Sequence, residues 1–169
     1  MTGGLGCPEE LRSKLALALD VADLEAANQL ALNLKPWFGV VKIGLELYSA
    51  VGPGAVAAMR EIGYDVFLDL KLHDIPNTVG GASRVVGALG VKYLTLHTCG
   101  GLDMLRAGVE GLVEGSAIAG LEAPIPLGET VLTSDKTAPT DILKERVQIA
   151  IEAGCGGLVC AAKDLKDAL

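Results

Sequence analysis

Short apolar runs alternate with stretches of helical periodicity along the chain. Six runs are apolar and β-branched enough to predict buried strands, at 14–20, 39–44, 65–71, 91–97, 129–134 and 157–162. Helices are predicted between them, as in 23–35, where one face is apolar and Asp23 can cap the first turn, and in 140–153. Because strand and helix alternate with short links, the pattern predicts βαβ units and a parallel sheet.

Three glycines mark the ends of predicted helices. Gly63, Gly90 and Gly154 each follow a helical stretch and come directly before a predicted strand. Glycine accepts the left-handed conformation that ends many helices, so these positions set the helix boundaries. The strands that follow are continuously apolar, which is typical of strands covered on both faces.

Two architectures fit this alternation, a doubly wound open sheet and a (β/α)8 TIM barrel. Neither GxGxxG nor GxxxxGK[ST] follows the first strand, so the usual signal of a nucleotide-binding open sheet is missing. Polar residues instead stand at the ends of the predicted strands: Asp20, Lys42, Asp69, Lys71, His97 and Thr133. In a barrel all of these would face one mouth, so we predict an α/β TIM barrel.

The predicted barrel is a single domain over residues 1–169 with about six βα units. A complete barrel has eight units and runs to roughly 250 residues. The sequence is therefore expected to be truncated before strands seven and eight.

Composition narrows the class of protein. The formal charge of −7 disfavours nucleic acid as a partner, because binding phosphates needs clustered Lys and Arg. No uncharged apolar run approaches the roughly eighteen residues that span a bilayer, and the N-terminus lacks the apolar core of a secretory signal. Four cysteines without a CxxC pair are expected to be reduced and mostly buried. We therefore predict a cytoplasmic protein that binds neither membranes nor nucleic acid.

The third predicted strand carries an unusual set of charges. Asp69 and Lys71 lie inside the apolar run from Tyr64 to Leu72, and Asp74 follows it. Alternation along a strand would put Asp69 and Lys71 on one face, and ionised groups buried there need partners. The array is either a salt-bridge network that ties the strand to its loop, or a cationic acid held by two carboxylates. Such an acid could protonate a carbanion without an electron-sink cofactor.

The stretch FLDLKLHDIPNT, residues 67–78, closely resembles the signature of the orotidine 5′-phosphate decarboxylase family. The resemblance continues through LALALDVAD, VVKIGLELYSAVGP, LTLHTCGG and VLTS, and it covers residues 14–169. DxKxxD alone is shared with sugar-phosphate decarboxylases and aldolases, whereas HDIPNT is more specific. The resemblance implies a barrel enzyme that converts orotidine 5′-phosphate to UMP in de novo pyrimidine biosynthesis, with no metal and no cofactor.

The resemblance also implies a role for each residue that matches the motif. Lys71 would deliver the proton to C6 of the pyrimidine, with Asp69 and Asp74 as the flanking carboxylates. Asp74 would cross into the active site of a second copy, so that a homodimer shares its active sites. The remaining matches are substrate-binding positions: Asp20 on the ribose hydroxyls, Lys42 beside the ribose, Ile75 and Thr78 next to Asp74, and Thr133 on the base.

Two alternatives remain for the function. One is a related metal-dependent sugar-phosphate lyase, and the other is a non-catalytic fragment or pseudoenzyme. His73 and His97 are expected to be structural, and Gly100 with Gly101 is expected to form a turn. The family's chain continues to a phosphate-binding loop and an arginine after strand eight, which this sequence does not include.

Overall fold

A computed structural model describes residues 6–132 and 140–168, with the side chains of Thr140 and Asp167 left aside. The chain divides into two compact units, one up to Asp69 and the other from Leu70 onward. The third strand, β3 (Asp65–Leu72), runs from the first unit into the second. Each unit is built from parallel strands and helices.

The first unit contains two further strands and four helices. In chain order they are α1 (Glu9–Arg12), β1 (Ala16–Ala18), α2 (Leu24–Leu34), β2 (Val40–Ile43), α3 (Leu45–Val51) and α4 (Pro53–Glu61). Strand β1 pairs with β2, and β2 pairs with β3, both in parallel. The carboxylate of Asp23 accepts a hydrogen bond from the Ala26 N–H at 2.8 Å, which confirms the cap predicted for α2.

The second unit contains the remaining elements. They are α5 (Pro76–Gly87), β4 (Tyr93–His97), a 3₁₀ turn (Thr98–Gly100), α6 (Leu102–Ile118), β5 (Ile125–Glu129), α7 (Thr140–Ala153), β6 (Gly157–Val159), a second 3₁₀ turn (Ala162–Asp164) and α8 (Leu165–Ala168). Strand β5 pairs in parallel with both β4 and β6. The turn at Gly100 and Gly101 was predicted, and Gly101 has φ +81°.

The strand order is β1-β2-β3-β4-β5-β6. Each strand has its successor in the sequence as its neighbour, as in a (β/α)8 barrel. A doubly wound sheet would reverse its order at a switch point, and the six strands of the described residues show no reversal. The order confirms the predicted fold class. Gly63, Gly90 and Gly154 have φ values of +88°, +74° and +84°, which confirms the predicted left-handed helix ends.

The prediction for the fifth strand was wrong. We expected it at 129–134, but β5 is Ile125–Glu129, so Glu129 and not Thr133 ends the strand. Pro126 and Gly128 are residue types that are rare in strands, so residue propensities alone do not predict this strand. Packing requires the glycine, because a Cβ at Gly128 would lie 2.9 Å from Ala150 Cβ. Thr133 itself lies outside the described residues.

Helices α5 and α6 approach each other through glycines. A Cβ at Gly111 would lie 2.2 Å from the Gly80 carbonyl oxygen, and one at Gly115 would lie 1.9 Å from the Arg84 carbonyl oxygen. Both obstacles are backbone atoms that cannot rotate away. Only glycine allows two helix backbones to lie this close, so these positions fix the spacing of the pair.

Among residues 6–132 and 140–168, none of the helices has both the length and the apolar character needed to cross a bilayer.

Candidate active site

The first unit brings together three charged side chains at the ends of neighbouring strands. Lys42 Nζ lies 3.3 Å from Asp20 Oδ1 and 3.7 Å from Asp69 Oδ2. Asp20 follows β1, Lys42 lies late in β2, and Asp69 lies in β3. Because the three strands are parallel and adjacent, their carboxyl ends place these residues side by side, as the barrel prediction required.

The two carboxylates around Lys42 differ in their exposure. Asp69 is buried, with 9 % of its surface exposed, whereas Asp20 is largely exposed to solvent. A buried carboxylate is costly unless a cation lies beside it, and Lys42 supplies one. Asp20 keeps an accessible carboxylate edge that a ligand hydroxyl could reach. The cluster therefore contains a buried carboxylate that is paired with Lys42 and an exposed carboxylate that can accept further hydrogen bonds.

Lys71 has an unusual backbone conformation. Its φ is +50°, and no other non-glycine residue in the described ranges has a positive φ. Left-handed backbone is unfavourable for a residue with a long side chain, and such strain clusters at functional sites. The Lys71 N–H donates to Thr95 Oγ1 on β4 at 2.8 Å. Strand alternation assumes extended backbone, so it does not set the direction of the Lys71 side chain.

The loop after β3 and the first turn of α5 carry three of the predicted site residues. Asp74 Oδ1 accepts a hydrogen bond from the Ile75 N–H at 2.6 Å. Ile75 precedes α5, whose first residue is Pro76, and its carbonyl accepts from the Thr78 N–H at 3.0 Å. Asp74, Ile75 and Thr78 are all exposed. They therefore form one ordered, solvent-facing edge at the start of α5.

Two histidines and a cysteine lie next to this loop. His97 Nδ1 accepts a hydrogen bond from the Cys99 N–H at 3.4 Å, and Cys99 Sγ lies 3.7 Å from His73 Nδ1. Burial lowers the pKa of His97, and the nearby charges of Arg146, His73 and Lys71 act in the same direction. A lowered pKa keeps His97 neutral and able to accept this bond. The hydrogen-bonded role predicted for His97 agrees with this geometry.

The cysteines are free, as predicted, but they are less buried than we expected. Cys99 is exposed, and Cys7, Cys155 and Cys160 are only part-buried. Burial nevertheless raises the pKa of the Cys155 thiol to about 11, so it stays protonated at neutral pH. Within the part of the chain that the structure describes, no three His, Cys, Asp or Glu residues are grouped so that they could hold a metal ion.

Sequence reasoning missed two buried polar residues of the second unit. Thr95 is fully buried within the apolar strand YLTLH, and it accepts the Lys71 N–H. Glu129 is buried at the end of β5, where its carbonyl oxygen accepts a hydrogen bond from Thr98 Oγ1 at 2.7 Å. The available signal for Thr95 was a polar residue flanked by two leucines in the middle of a strand. Glu129 was missed because β5 was placed too late in the sequence.

Comparison with known proteins agrees with the sequence motif and the strand order. The family model described as "Orotidine 5'-phosphate decarboxylase / HUMPS family" matches residues 13–168. The chain belongs to this family. The match includes residues 67–78, which lie on β3, the loop that follows it and the first turn of α5.

Several relatives in the family are similar over nearly all of this chain. The orotidine 5′-phosphate decarboxylase of Moorella thermoacetica is 40% identical over 92% of this chain and 66% of the relative. That of Lactiplantibacillus plantarum is 45% identical, over 92% of this chain and 71% of the relative. The chain thus spans about two thirds of the length of these curated relatives.

A solved structure confirms the fold. The crystal structure of orotidine 5′-phosphate decarboxylase from Lactobacillus acidophilus aligns with a TM-score of 0.82 and 30% sequence identity. The alignment covers 93% of this chain and 75% of that one. The order of strands and helices described above is therefore that of the family's barrel.

Proposed function

We propose that the complete gene product decarboxylates orotidine 5′-phosphate to UMP and CO₂, with Lys71 as the proton donor. The observation that carries this proposal is the family match over residues 13–168, which includes the whole DLKLHD motif. The relatives from Moorella thermoacetica and Lactiplantibacillus plantarum are named for this reaction. The left-handed Lys71, set at the end of β3, supports it as the residue on which the chemistry depends.

The chemistry requires a cation at one carbon atom. When the bond between C6 and the carboxylate breaks, its electron pair stays on C6 as an sp² carbanion without a π-system to delocalise into. A preorganised ammonium beside C6 stabilises that charge and then transfers a proton to it. CO₂ leaves, C6–H forms, and solvent restores the proton to Lys71. A lysine fixed in position thus replaces an electron-sink cofactor.

Substrate binding is proposed for the remaining motif residues. Asp20, whose exposed carboxylate is held by Lys42, is suited to accept hydrogen bonds from ribose hydroxyls. Asp69 is proposed to hold an active-site ammonium in place, and its Oδ2 lies 3.7 Å from Lys42 Nζ. Ile75 and Thr78 are proposed to contact the ribose side, and Thr133 the base. The predicted cytoplasmic location and the expected lack of nucleic-acid partners stay predictions.

The proposal is tested by an assay of the purified complete gene product. We expect conversion of orotidine 5′-phosphate to UMP, followed by the loss of substrate absorbance, with no added cofactor and with an unchanged rate in EDTA. Activity on sugar phosphates that EDTA abolishes would favour the metal-dependent lyase instead. A folded protein that turns over neither substrate would favour a pseudoenzyme.

We further propose that the enzyme is a homodimer with shared active sites. Asp74 and Thr78 support this, because both are exposed, Asp74 on the loop after β3 and Thr78 in the first turn of α5, where a second copy can be reached. Such an arrangement is natural for a two-fold interface, in which each chain supplies the same loop to the other. Each active site would then combine Lys71 of one chain with Asp74 of its partner.

Mixing two inactive variants tests the shared site. Asp74→Asn and Lys71→Ala are each expected to be inactive alone. In a mixed dimer one site carries both lesions and the other carries neither, so random mixing should restore about a quarter of the wild-type activity. Subunit exchange is verified with differently tagged chains, and Lys71→Ala mixed with itself is the control. If verified mixed dimers stay inactive, Asp74 acts within its own chain.

A further inference from the structure

Lys71 holds a conformation that its own residue type disfavours. With φ +50° it departs from the extended backbone of β3, in which it is the penultimate residue. A side chain at positive φ meets its own backbone, so this state persists only where the surrounding structure imposes it. Some contact to the Lys71 backbone must therefore stabilise the left-handed form over the extended one.

Thr95 provides such a contact. Its hydroxyl oxygen accepts the Lys71 N–H at 2.8 Å, across 24 residues of sequence. In a regular parallel sheet a backbone carbonyl would accept this N–H, whereas here a side chain does. Thr95 is completely buried, between Leu94 and Leu96, which are also completely buried. A hydroxyl in that position is unfavourable unless it makes hydrogen bonds.

The chemistry of threonine suits this task. Its β-branched side chain has few rotamers, so the position of the hydroxyl oxygen relative to the strand backbone is restricted. A fixed acceptor fixes the plane of the peptide bond between Leu70 and Lys71, from which the φ rotation of Lys71 is measured. With that plane held, the φ of +50° determines the direction in which the Lys71 side chain leaves the backbone.

We propose that Thr95 is the positioning residue for Lys71. It acts through the peptide N–H and not on the substrate, and it holds the lysine in the left-handed conformation from which the ammonium reaches the reacting carbon. The effect on rate rests on the proposed function, whereas the contact itself does not. A positioning residue is expected to change kcat and to leave KM almost unchanged.

The test uses Thr95→Val and Thr95→Ser in the complete gene product. Valine keeps the shape of threonine and removes the acceptor, and serine keeps the acceptor. We expect Thr95→Val to lower kcat by about 10- to 100-fold, as misplacement of a reacting group does. Thr95→Ser should restore most of kcat, and KM should stay within about twofold in both variants.

Thr130→Val serves as the matched control. Thr130 is also completely buried, and its hydroxyl donates to the Val159 carbonyl at 2.9 Å, a contact that does not involve Lys71. It should lower the unfolding midpoint as Thr95→Val does but keep kcat near the wild-type value. An equal loss of kcat in the two variants would show that burial of a hydroxyl, and not positioning, is responsible, and would overturn the proposal.

Amide hydrogen exchange at Lys71 provides a readout that needs no activity. Exchange should be faster in Thr95→Val than in wild type, and unchanged in Thr95→Ser and Thr130→Val. If the wild-type protein does not decarboxylate its substrate, the proposed function fails, and exchange alone then upholds or overturns the positioning contact. In an active enzyme, an unchanged kcat in Thr95→Val overturns the proposal whatever the exchange rate.

Discussion

Replacing Lys71 with alanine is expected to lower kcat/KM for orotidine 5′-phosphate by at least about a hundredfold, the lower bound for losing a general acid. The variant removes both the proton donor and the cation that stabilises the C6 carbanion. Both groups act on the transition state and not on the bound substrate. The lower kcat/KM should therefore come from a lower kcat, and not only from a higher KM. Both kinetic constants are measured from the loss of substrate absorbance, at saturating and at limiting substrate concentrations.

Two controls separate loss of chemistry from loss of structure. Lys144→Ala removes an exposed lysine on α7 and should leave the rate unchanged. Circular dichroism and a denaturant titration should show that Lys71→Ala folds, because alanine adopts the left-handed backbone no less readily than lysine. If Lys71→Ala kept more than about a hundredth of the wild-type rate, Lys71 would not be the acid.

The second large effect is expected at the helix pair. Gly115→Ala should lower the free energy of unfolding by about 3 kcal/mol, the upper end of the usual range for over-packing. The added methyl would lie 1.9 Å from the Arg84 carbonyl oxygen, so the two helices must separate. Urea denaturation followed by circular dichroism measures the change. An unchanged m-value would show that unfolding exposes the same amount of surface in both proteins.

Gly81→Ala is the matched control on the same helix pair. A Cβ at Gly81 meets no atom within 4 Å, and the residue lies inside α5 without a positive φ. Alanine restricts the unfolded chain and favours the helix, so this variant should gain about 0.5–1 kcal/mol. Replacing glycine with alanine would then lower the free energy of unfolding at position 115 and raise it at position 81. If both variants lost stability equally, the close approach of α5 and α6 would be contradicted.

The motif region shows how far sequence reasoning reaches into the site. Charges at strand ends predicted that Asp20, Lys42 and Asp69 would meet, and Lys42 does lie between the two carboxylates. Parallel neighbouring strands dictate that result once the order of strands is known. The roles given to these residues, and to Lys71, Asp74, Ile75, Thr78 and Thr133, stay predictions.

The misplaced fifth strand shows where reasoning from propensity fails. Pro126 and Gly128 are poor strand formers, yet both lie in β5. Gly128 is there because Ala150 of α7 leaves no room for a side chain. A contact between residues so distant in the chain cannot be read from local composition, which favours the more β-branched stretch that follows.

The sequence by itself determined the alternation of strands and helices, the glycine helix ends, and the choice of a barrel over a doubly wound sheet. These follow from local periodicity and from residue types with strong backbone preferences. Only the tertiary structure decided that Lys71 is left-handed and that Thr95 accepts its N–H. Lysine has no intrinsic preference for that conformation, so it depends on contacts, such as the hydrogen bond to Thr95, that form only when the two strands come together on folding.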